Sequence, residues 1–366
     1  MNQLHKTASE FLSGEILEIK PLSGGHIHQT FLVNEMTAYG RRSLVLQRVN
    51  HLVFTDPQGI INNMLKVIQH VAQNLEPSDK FEVFRLIPTR SGPYLFKDDE
   101  EYSWRMLTFI EGSYSLDHVQ DPEHAYQGAL AYGRFLALIA DMDANELVNT
   151  IPDFHHLGHR YETFKAVRLD NKVGRLQAVQ KEVEFVEQRI PFINSIVTLI
   201  EGDDLPLRVV HNDTKLSNVL FSRESDQGIS VVDWDTIMPG YLMYDFGDMV
   251  RTFSSPVAED SLDLDAISVQ MPVFRALCAG FFHDTFSIIT TSEIESLLPG
   301  AQLMTFIMGL RFLTDYLQGD VYYNIEHAHH NLDRCRNQFR LMESLEKHDS
   351  DLGEIIAQAL AKYRGS

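Results

Sequence analysis

The sequence predicts an α+β fold in two lobes, a small antiparallel sheet with one helix followed by a larger, mainly helical lobe. Three observations lead there. The first third alternates short β-rich runs with Gly, Pro, Asn and Asp turns. The remainder carries long runs with the 3.6-residue period of amphipathic helices. The 366 residues also exceed what a single hydrophobic core usually spans. The texture changes after "FIEGSYS", which puts the boundary near Gly112 and divides the chain into 1–111 and 112–366.

In order along the chain, "EILEIKPL", "QTFLVNEM", "SLVLQRVN", "FEVFRLI" and "YSWRMLTFI" read as strands, rich in Val, Ile, Leu, Phe and Tyr. One helix interrupts them over 57–75, with Asp56 as N-cap, Pro57 in the first turn, and Ile61, Leu65, Ile68 and Ala72 at helical spacing. Beyond Gly112, helices are predicted around "HAYQGALAYGRFLALIADM", "QAVQKEVEFVEQRIPFINSIVTLI" and "AQLMTFIMGLRFLTDYLQG". Between them lie two short strand candidates, "VVHND" to "NVLF" and "ISVVDWD", joined by the turn-forming "SRESDQG".

Composition excludes several classes of partner. A net charge of −20 opposes a nucleic-acid backbone, so an anionic ligand has to be held locally, by metal or by a few cations. Two cysteines, Cys278 and Cys335, are too few for a disulfide framework or a Cys-based zinc site, and fit a reducing, cytoplasmic compartment. The most apolar later stretch, "VFRALCAGFFHDTFSII", is broken by Arg275, His283 and Asp284, so no membrane partner is expected.

The chemistry concentrates in "VVHNDTKLSNVLFS", residues 209–222, and the strand after it. Pairing the two short strands as a hairpin brings Asp213, Asn218 and Asp233 to one end. Two carboxylates and an amide oxygen suit a hard cation such as Mg²⁺, which takes one or two protein oxygens and fills its shell with water and phosphate. The remaining carboxylate is left to accept a proton.

"HNDTKLSN" followed by "VVDWD" resembles the catalytic-loop and metal-loop pair of the kinase-like phosphotransferases. The resemblance implies a bilobal protein-kinase-like fold with ATP as co-substrate, Asp213 as base, and Asn218 and Asp233 on the metal. Asn212 stands where protein kinases carry Arg, and Asp235 where they carry the last Gly of D-F-G. Both departures point to the aminoglycoside-phosphotransferase-like, small-molecule branch. Within it, "HNDTK-x-x-N", "D-x-DT-x-MPG", "RFLTDYLQGDVYY" and "HNLDRCRNQ", with "SGGHIHQTF" and "LVLQRVN" near the start, are similar to the N-acetylhexosamine 1-kinases. That implies transfer of a γ-phosphoryl group to the anomeric hydroxyl of the sugar.

The remaining assignments follow from this resemblance. Gly24 and Gly25, between two strands, would bring backbone amides to the phosphates, and His26 on the same loop would touch the sugar. The strand-three position that usually holds a phosphate-pairing Lys is Gln47, so phosphate contact falls to Arg48 or to backbone and metal alone. Lys215 is placed to meet the transferring phosphoryl group. Backbone around Phe109 to Glu111 would meet the base, adenine or guanine. Arg311 and Tyr322 match sugar-binding positions, an Arg offering a fork of donors and a Tyr a ring face. Asp235 either helps a second cation or orders its loop, and Asp245 reads as a cap or a bond to the catalytic loop. The competing readings are another small hydroxyl acceptor, such as an aminoglycoside, methylthioribose or an amino alcohol, and a catalytically inactive nucleotide-binding module.

Overall fold

The computed structural model describes residues 3–22 and 27–364 and has the two predicted lobes. In the smaller one, α1 (Gln3–Ser9) precedes β1 (Glu15–Pro21), β2 (Gln29–Thr37) and β3 (Gly40–Arg48). There follow α2 (Pro57–Asn74), β4 (Leu86–Ile87), β5 (Phe96–Lys97) and β6 (Ser103–Thr108). The sheet is antiparallel in the order β1-β2-β3-β6-β4, with β5 also on β6. Strand alternation sends Leu44, Leu46 and Met106 to one face, where Ala8, Phe11 and Leu12 cover them. Val45 and Leu107 go to the other face, which α2 covers.

Three elements differ from expectation. The short helix α1 was not anticipated, because seven residues carry too little period to read and burial of Thr7 and Ala8 under the sheet decides it. Asp56 does cap α2, accepting from the Gly59 amide at 2.9 Å. Its buried stripe, however, runs through Ile60, Met64, Val67 and Val71 beside Ile61, and Ala72 is exposed. That stripe has the same helical spacing, and contact with both the sheet and the larger lobe selects it. Of "FEVFRLI", only Leu86–Ile87 joins the ladder. Phe84 instead packs 4.6 Å from Trp234, and the Glu82 amide donates to Ile229 O, so this segment crosses to the larger lobe.

The larger lobe contains β7 (Ser113–Tyr114), α3 (Pro122–Leu138), α4 (Leu157–Asp170), α5 (Gln180–Gln188) and α6 (Ile190–Glu201). It continues with β8 (Arg208–Val210), β9 (Val219–Ser222), β10 (Gly228–Val231), β11 (Met238–Gly240) and α7 (Leu242–Phe253). The last helices are α8 (Met271–Thr285), α9 (Thr291–Gln318), α10 (His330–Lys347) and α11 (Asp349–Arg364). The periodic run 177–200 breaks between α5 and α6, where Pro191, lacking an N–H, can only begin a helix. Helix α9 is long and apolar enough to cross a membrane by length and composition, but 72% of its apolar window is buried within the protein, against α7 and α10. Cys278 and Cys335 are both free and buried.

Two features of this lobe position the site. The predicted hairpin forms between β9 and β10, and β8 pairs with β11. Helix α7 lies almost backbone to backbone on α9, since a Cβ at Gly247 would stand 2.2 Å from the Gly300 carbonyl. Only glycine permits that approach, which fixes the helix carrying Asp245 and Asp248.

Candidate active site

The two small ladders draw together a loop after β8 and a loop after β10. Asn212 and Asp233 sit in these loops with left-handed backbones, φ 64° and 65°. Non-glycine residues hold that conformation only where their surroundings fix it. Here the loops are laced to each other: Asn212 Nδ2 donates to Thr236 O at 2.9 Å, Thr236 Oγ1 donates to His211 O at 2.8 Å, and the Val232 amide donates to Asn218 O at 2.8 Å. His211 accepts the Asp213 amide on Nδ1, so its hydrogen lies on Nε2, 3.0 Å from Val232 O. Burial holds this imidazole neutral, its pKa pushed down to about 4.

Asp245, in the first turn of α7, accepts the His211 and Asn212 amides at 2.8 and 2.7 Å, one on each oxygen. Burial pushes its carboxyl up to about 7, while the two amides favour the anion. Of the two readings of Asp245, a cap or a bond to the loop that carries Asp213, the structure contains the second. Asp248 pairs with Arg251 at 2.8 Å in the same helix.

Asp213 and Asn218 come together: Asn218 Nδ2 donates to the Asp213 carboxylate and to its carbonyl, both at 3.0 Å. That leaves the Asn218 Oδ1 as an acceptor for a cation. Lys215 Nζ lies 2.9 Å from Asp213 Oδ2. Burial works against the Asp213 anion, but the Lys215 ammonium and the Asn218 amide outweigh it and hold the carboxyl below its ordinary range. Burial likewise opposes the Lys215 ammonium, and Asp213 with Asp233 keeps it charged. Asp233 is partly exposed, and among the described residues no group donates a hydrogen bond to its carboxylate. Its enclosed setting, with Asp235 and Asp213 near, pushes it up to about 6. A carboxylate without hydrogen-bond donors, on a loop whose Val232 amide is bonded to Asn218 O, has the chemistry to hold a hard divalent cation.

Asp235 is placed differently. Arg105 of β6 donates through Nη1 and Nη2 to its two oxygens, the second bond being 2.6 Å, and His28 Nε2 is 2.9 Å from Oδ2. Arg105 Nε donates to Gln47 Oε1 at 2.9 Å, so Gln47 occupies the cleft-facing strand-three position as expected. Arg48 does not reach the cleft. The next residue in an alternating strand points the other way, and its guanidinium stacks on Tyr102 at 4.2 Å, on the outer face of the sheet. The assignment of Arg48 to phosphate is corrected on that ground.

Arg311 and Tyr322 are brought together. The Arg311 guanidinium lies 5.6 Å from the Tyr322 and Tyr323 rings and 5.2 Å from Phe154. Asp315 builds the loop that presents the two tyrosines, accepting the amides of Val321, Tyr322 and Tyr323 at 2.8–3.0 Å. His155, whose ring packs tilted against Phe154 at 4.1 Å, donates from Nε2 to Asn212 O at 3.0 Å and so joins this cluster to the loop that carries Asp213. Its Nδ1 and the Tyr323 hydroxyl are buried without partners. Arg160 lies in the same cluster, its pKa lowered by burial and by Arg311.

The Phe109 amide is drawn into the sheet by Ser43 O at 3.4 Å, and Glu111 is exposed just before Gly112, whose φ is 66°. Gly24, Gly25 and His26 lie outside the described residues. Sequence reasoning missed Arg105, His28, Phe154, His155 and Tyr323. One signal existed for Arg105, a lone cation between Trp104 and Met106 in a strand otherwise built to be buried.

Solved structures resemble the whole chain. An aminoglycoside phosphotransferase from Alicyclobacillus acidocaldarius subsp. acidocaldarius DSM 446 aligns at 14% identity and TM-score 0.57, covering 96% of this chain and 95% of that one. Spectinomycin phosphotransferase APH(9)-Ia, solved with ADP and spectinomycin, aligns at 12% and 0.60, covering 94% and 98%. A Plasmodium vivax ethanolamine kinase aligns at 15% and 0.56, covering 88% and 82%. At these identities the likeness shows the fold. The family model for the phosphotransferase enzyme family (APH) matches residues 18–267, more than half of the sequence, and the chain belongs to that family.

Proposed function

We propose that the protein transfers the γ-phosphoryl group of ATP to a hydroxyl of a small acceptor, and that the acceptor is an N-acetylhexosamine phosphorylated at its anomeric oxygen. The observation that carries the reading is the joining of two clusters: Asp213, Lys215, Asn218 and Asp233 on one side, and the Arg311 cluster on the other, linked through His155. In this reading, ATP lies between lobes 1–111 and 112–366 with its base against Phe109–Glu111, and Gly24 and Gly25 approach its phosphates. Asn218 and Asp233 would hold Mg²⁺, which when bound neutralises charge on the phosphates.

The chain's own groups then divide the work. Asp213 accepts a hydrogen bond from the acceptor hydroxyl and aligns it for attack. Because Lys215 and Asn218 keep this carboxyl acidic, it takes the proton late, as the oxygen–phosphorus bond forms. An anomeric hydroxyl is more acidic than an ordinary alcohol, so a weak base suffices. Lys215 would offset charge on the group in transit.

The charge of the acceptor cluster supports a neutral sugar over a cationic acceptor. Arg160 already feels the charge of Arg311, so an aminoglycoside or amino alcohol would add a third cation there. Arg311 would donate to sugar hydroxyls or an acyl carbonyl, Tyr322 would offer its ring, and His26 would complete the contact. A panel of hexosamines, aminoglycosides and amino alcohols with ATP and Mg²⁺, scored by ADP release, tests the reading. Phosphorus–proton coupling to H1 in the product is the expected result. Coupling to the H6 protons, or turnover of cationic acceptors with hexosamines inert, would overturn the acceptor while leaving the transfer reaction standing.

A further inference from the structure

Arg105 and Asp235 form a buried ion pair, 1% and 2% exposed, between the sheet lobe and the loop that carries Asp233. Replacing such a pair by packed apolar groups usually costs little stability, so stability alone is a poor reason for burying charges beneath a reaction centre. Two sequence features make the pair informative. Helix α2 contains no Asp or Glu, and the β3 residue opposite Arg105 is Gln47 rather than a cation. A Lys–Glu pair between strand three and this helix is therefore absent, and a kinase-like site needs some other device to register the lobe on the metal loop.

The pair has the geometry for that task. Both Asp235 oxygens are taken by one rigid guanidinium. Gln47, itself bonded to Thr30, holds Arg105 Nε, so the fork is anchored across β2, β3 and β6. His28 adds a third bond. Its Nδ1 accepts the Asn50 amide at 3.1 Å, which puts the hydrogen on Nε2, the atom facing Asp235. Asn63 of α2 donates to Ile237 O at 3.0 Å, a further tie to the same loop.

The ligand atoms of His28, Asp233 and Asp235 lie within 4.8 Å of one another, a spacing that would suit a cation. The hydrogen bonds argue otherwise: His28 presents N–H rather than a lone pair, and Arg105 occupies Asp235. We infer that Arg105 is a positioning residue. By gripping Asp235 it docks the sheet lobe on the metal loop and holds Asp233 in register with Asn218 and Asp213. Asp235 is the anion of this interlobe lock, not a ligand of a second cation. The inference rests on the phosphotransferase reading for its purpose, though not for the contact itself.

The test compares wild type, Arg105→Lys and Asp235→Asn. Calorimetry measures ATP binding with Mg²⁺ and with chelator, and hydrogen exchange follows residues 232–237 in nucleotide-free protein. Lysine keeps the charge and loses the fork. Both variants should lose Mg²⁺–ATP affinity by at least about tenfold, the range seen when partners behind a metal ligand are removed. Metal-free ATP should bind within about twofold of wild type, and residues 232–237 should exchange faster while the rest of the chain does not. The double variant Arg105→Lys with Asp235→Asn should be no weaker than the weaker single, since the pair acts as a unit; additive losses would mean that the two residues act separately and would count against the lock. If Asp235→Asn weakens Mg²⁺–ATP while Arg105→Lys leaves it unchanged or tighter, Asp235 is a cation ligand and the lock is wrong. Equal losses with and without Mg²⁺, or faster exchange over the whole chain, reduce Arg105 to holding the fold and overturn the inference as well. Wild type that binds neither form of ATP would sink the phosphotransferase reading instead, and the lock would then stand or fall on the exchange at 232–237.

Discussion

Replacing His155 with Gln should make the protein's stability less sensitive to acid. Burial, with Arg311 and Arg160 nearby, pushes this imidazole down to about 3, against a hydrogen bond to the Asn212 carbonyl that works the other way. The free side chain titrates near 6.5. Since the folded value lies below the unfolded one, the unfolded state binds the extra proton between these two pH values. Stability therefore falls as pH drops through 6.5 and continues to fall toward 3. Between pH 7.5 and 4.5 the effective drop spans roughly two pH units, and at about 1.4 kcal/mol per unit that amounts to about 3 kcal/mol. Glutamine does not titrate and keeps a donor for the Asn212 carbonyl. The assay is urea unfolding of both proteins at the two pH values. The variant should lose about 3 kcal/mol less on acidification, whatever its stability at neutral pH. Because the comparison is a difference of differences, other titrating groups cancel. Parallel loss in the two proteins would refute the buried, neutral state of His155 and with it the tie between the Arg311 cluster and the loop that carries Asp213.

Two further outcomes address the chemistry. Asp213→Asn should retain the fold and bind Mg²⁺–ATP within a few-fold of wild type, while turnover falls on the order of hundreds-fold or more; near-normal turnover would remove Asp213 from the mechanism. Arg311→Ala should raise the KM for an N-acetylhexosamine roughly 10- to 150-fold, the equivalent of about 1.5–3 kcal/mol for a charged hydrogen bond, and leave the KM for ATP in place. Equal changes at both ends would mean that Arg311 supports the lobe rather than the acceptor.

The lobe order, the capped helix α2 and the β9–β10 hairpin are all legible in the sequence. Each depends on local chemistry: Asp56 and Pro57 start a helix wherever they stand, and "SRESDQG" turns a chain whatever surrounds it. The catalytic-loop pattern was legible for a similar reason. Asp213 and Asn218 are five residues apart in one loop, and a hairpin of fixed length returns the chain to Asp233.

Contacts between distant residues were not legible. The helical period of α2 admits two adjacent stripes, and only the presence of the sheet on one side and the larger lobe on the other selects Met64 and Val67 over Ala72. The predicted strand around Phe84 surrendered its ladder to packing against Trp234, 150 residues away in sequence terms and 4.6 Å away in space. Arg48 and Arg105 show the same division at the site. Sequence alone offers two arginines in neighbouring strands, and strand alternation with the β3–β6 register turns one outward onto Tyr102 and the other inward onto Asp235, 130 residues further along. What the sequence by itself determined is the polar loop from His211 to Asn218 and the order of the elements, because those depend on short-range spacing. Which cation meets the Asp233–Asp235 loop, and which aromatic rings surround Arg311, was decided by tertiary structure, because a charge can be buried only where the whole fold brings its partner within hydrogen-bonding distance.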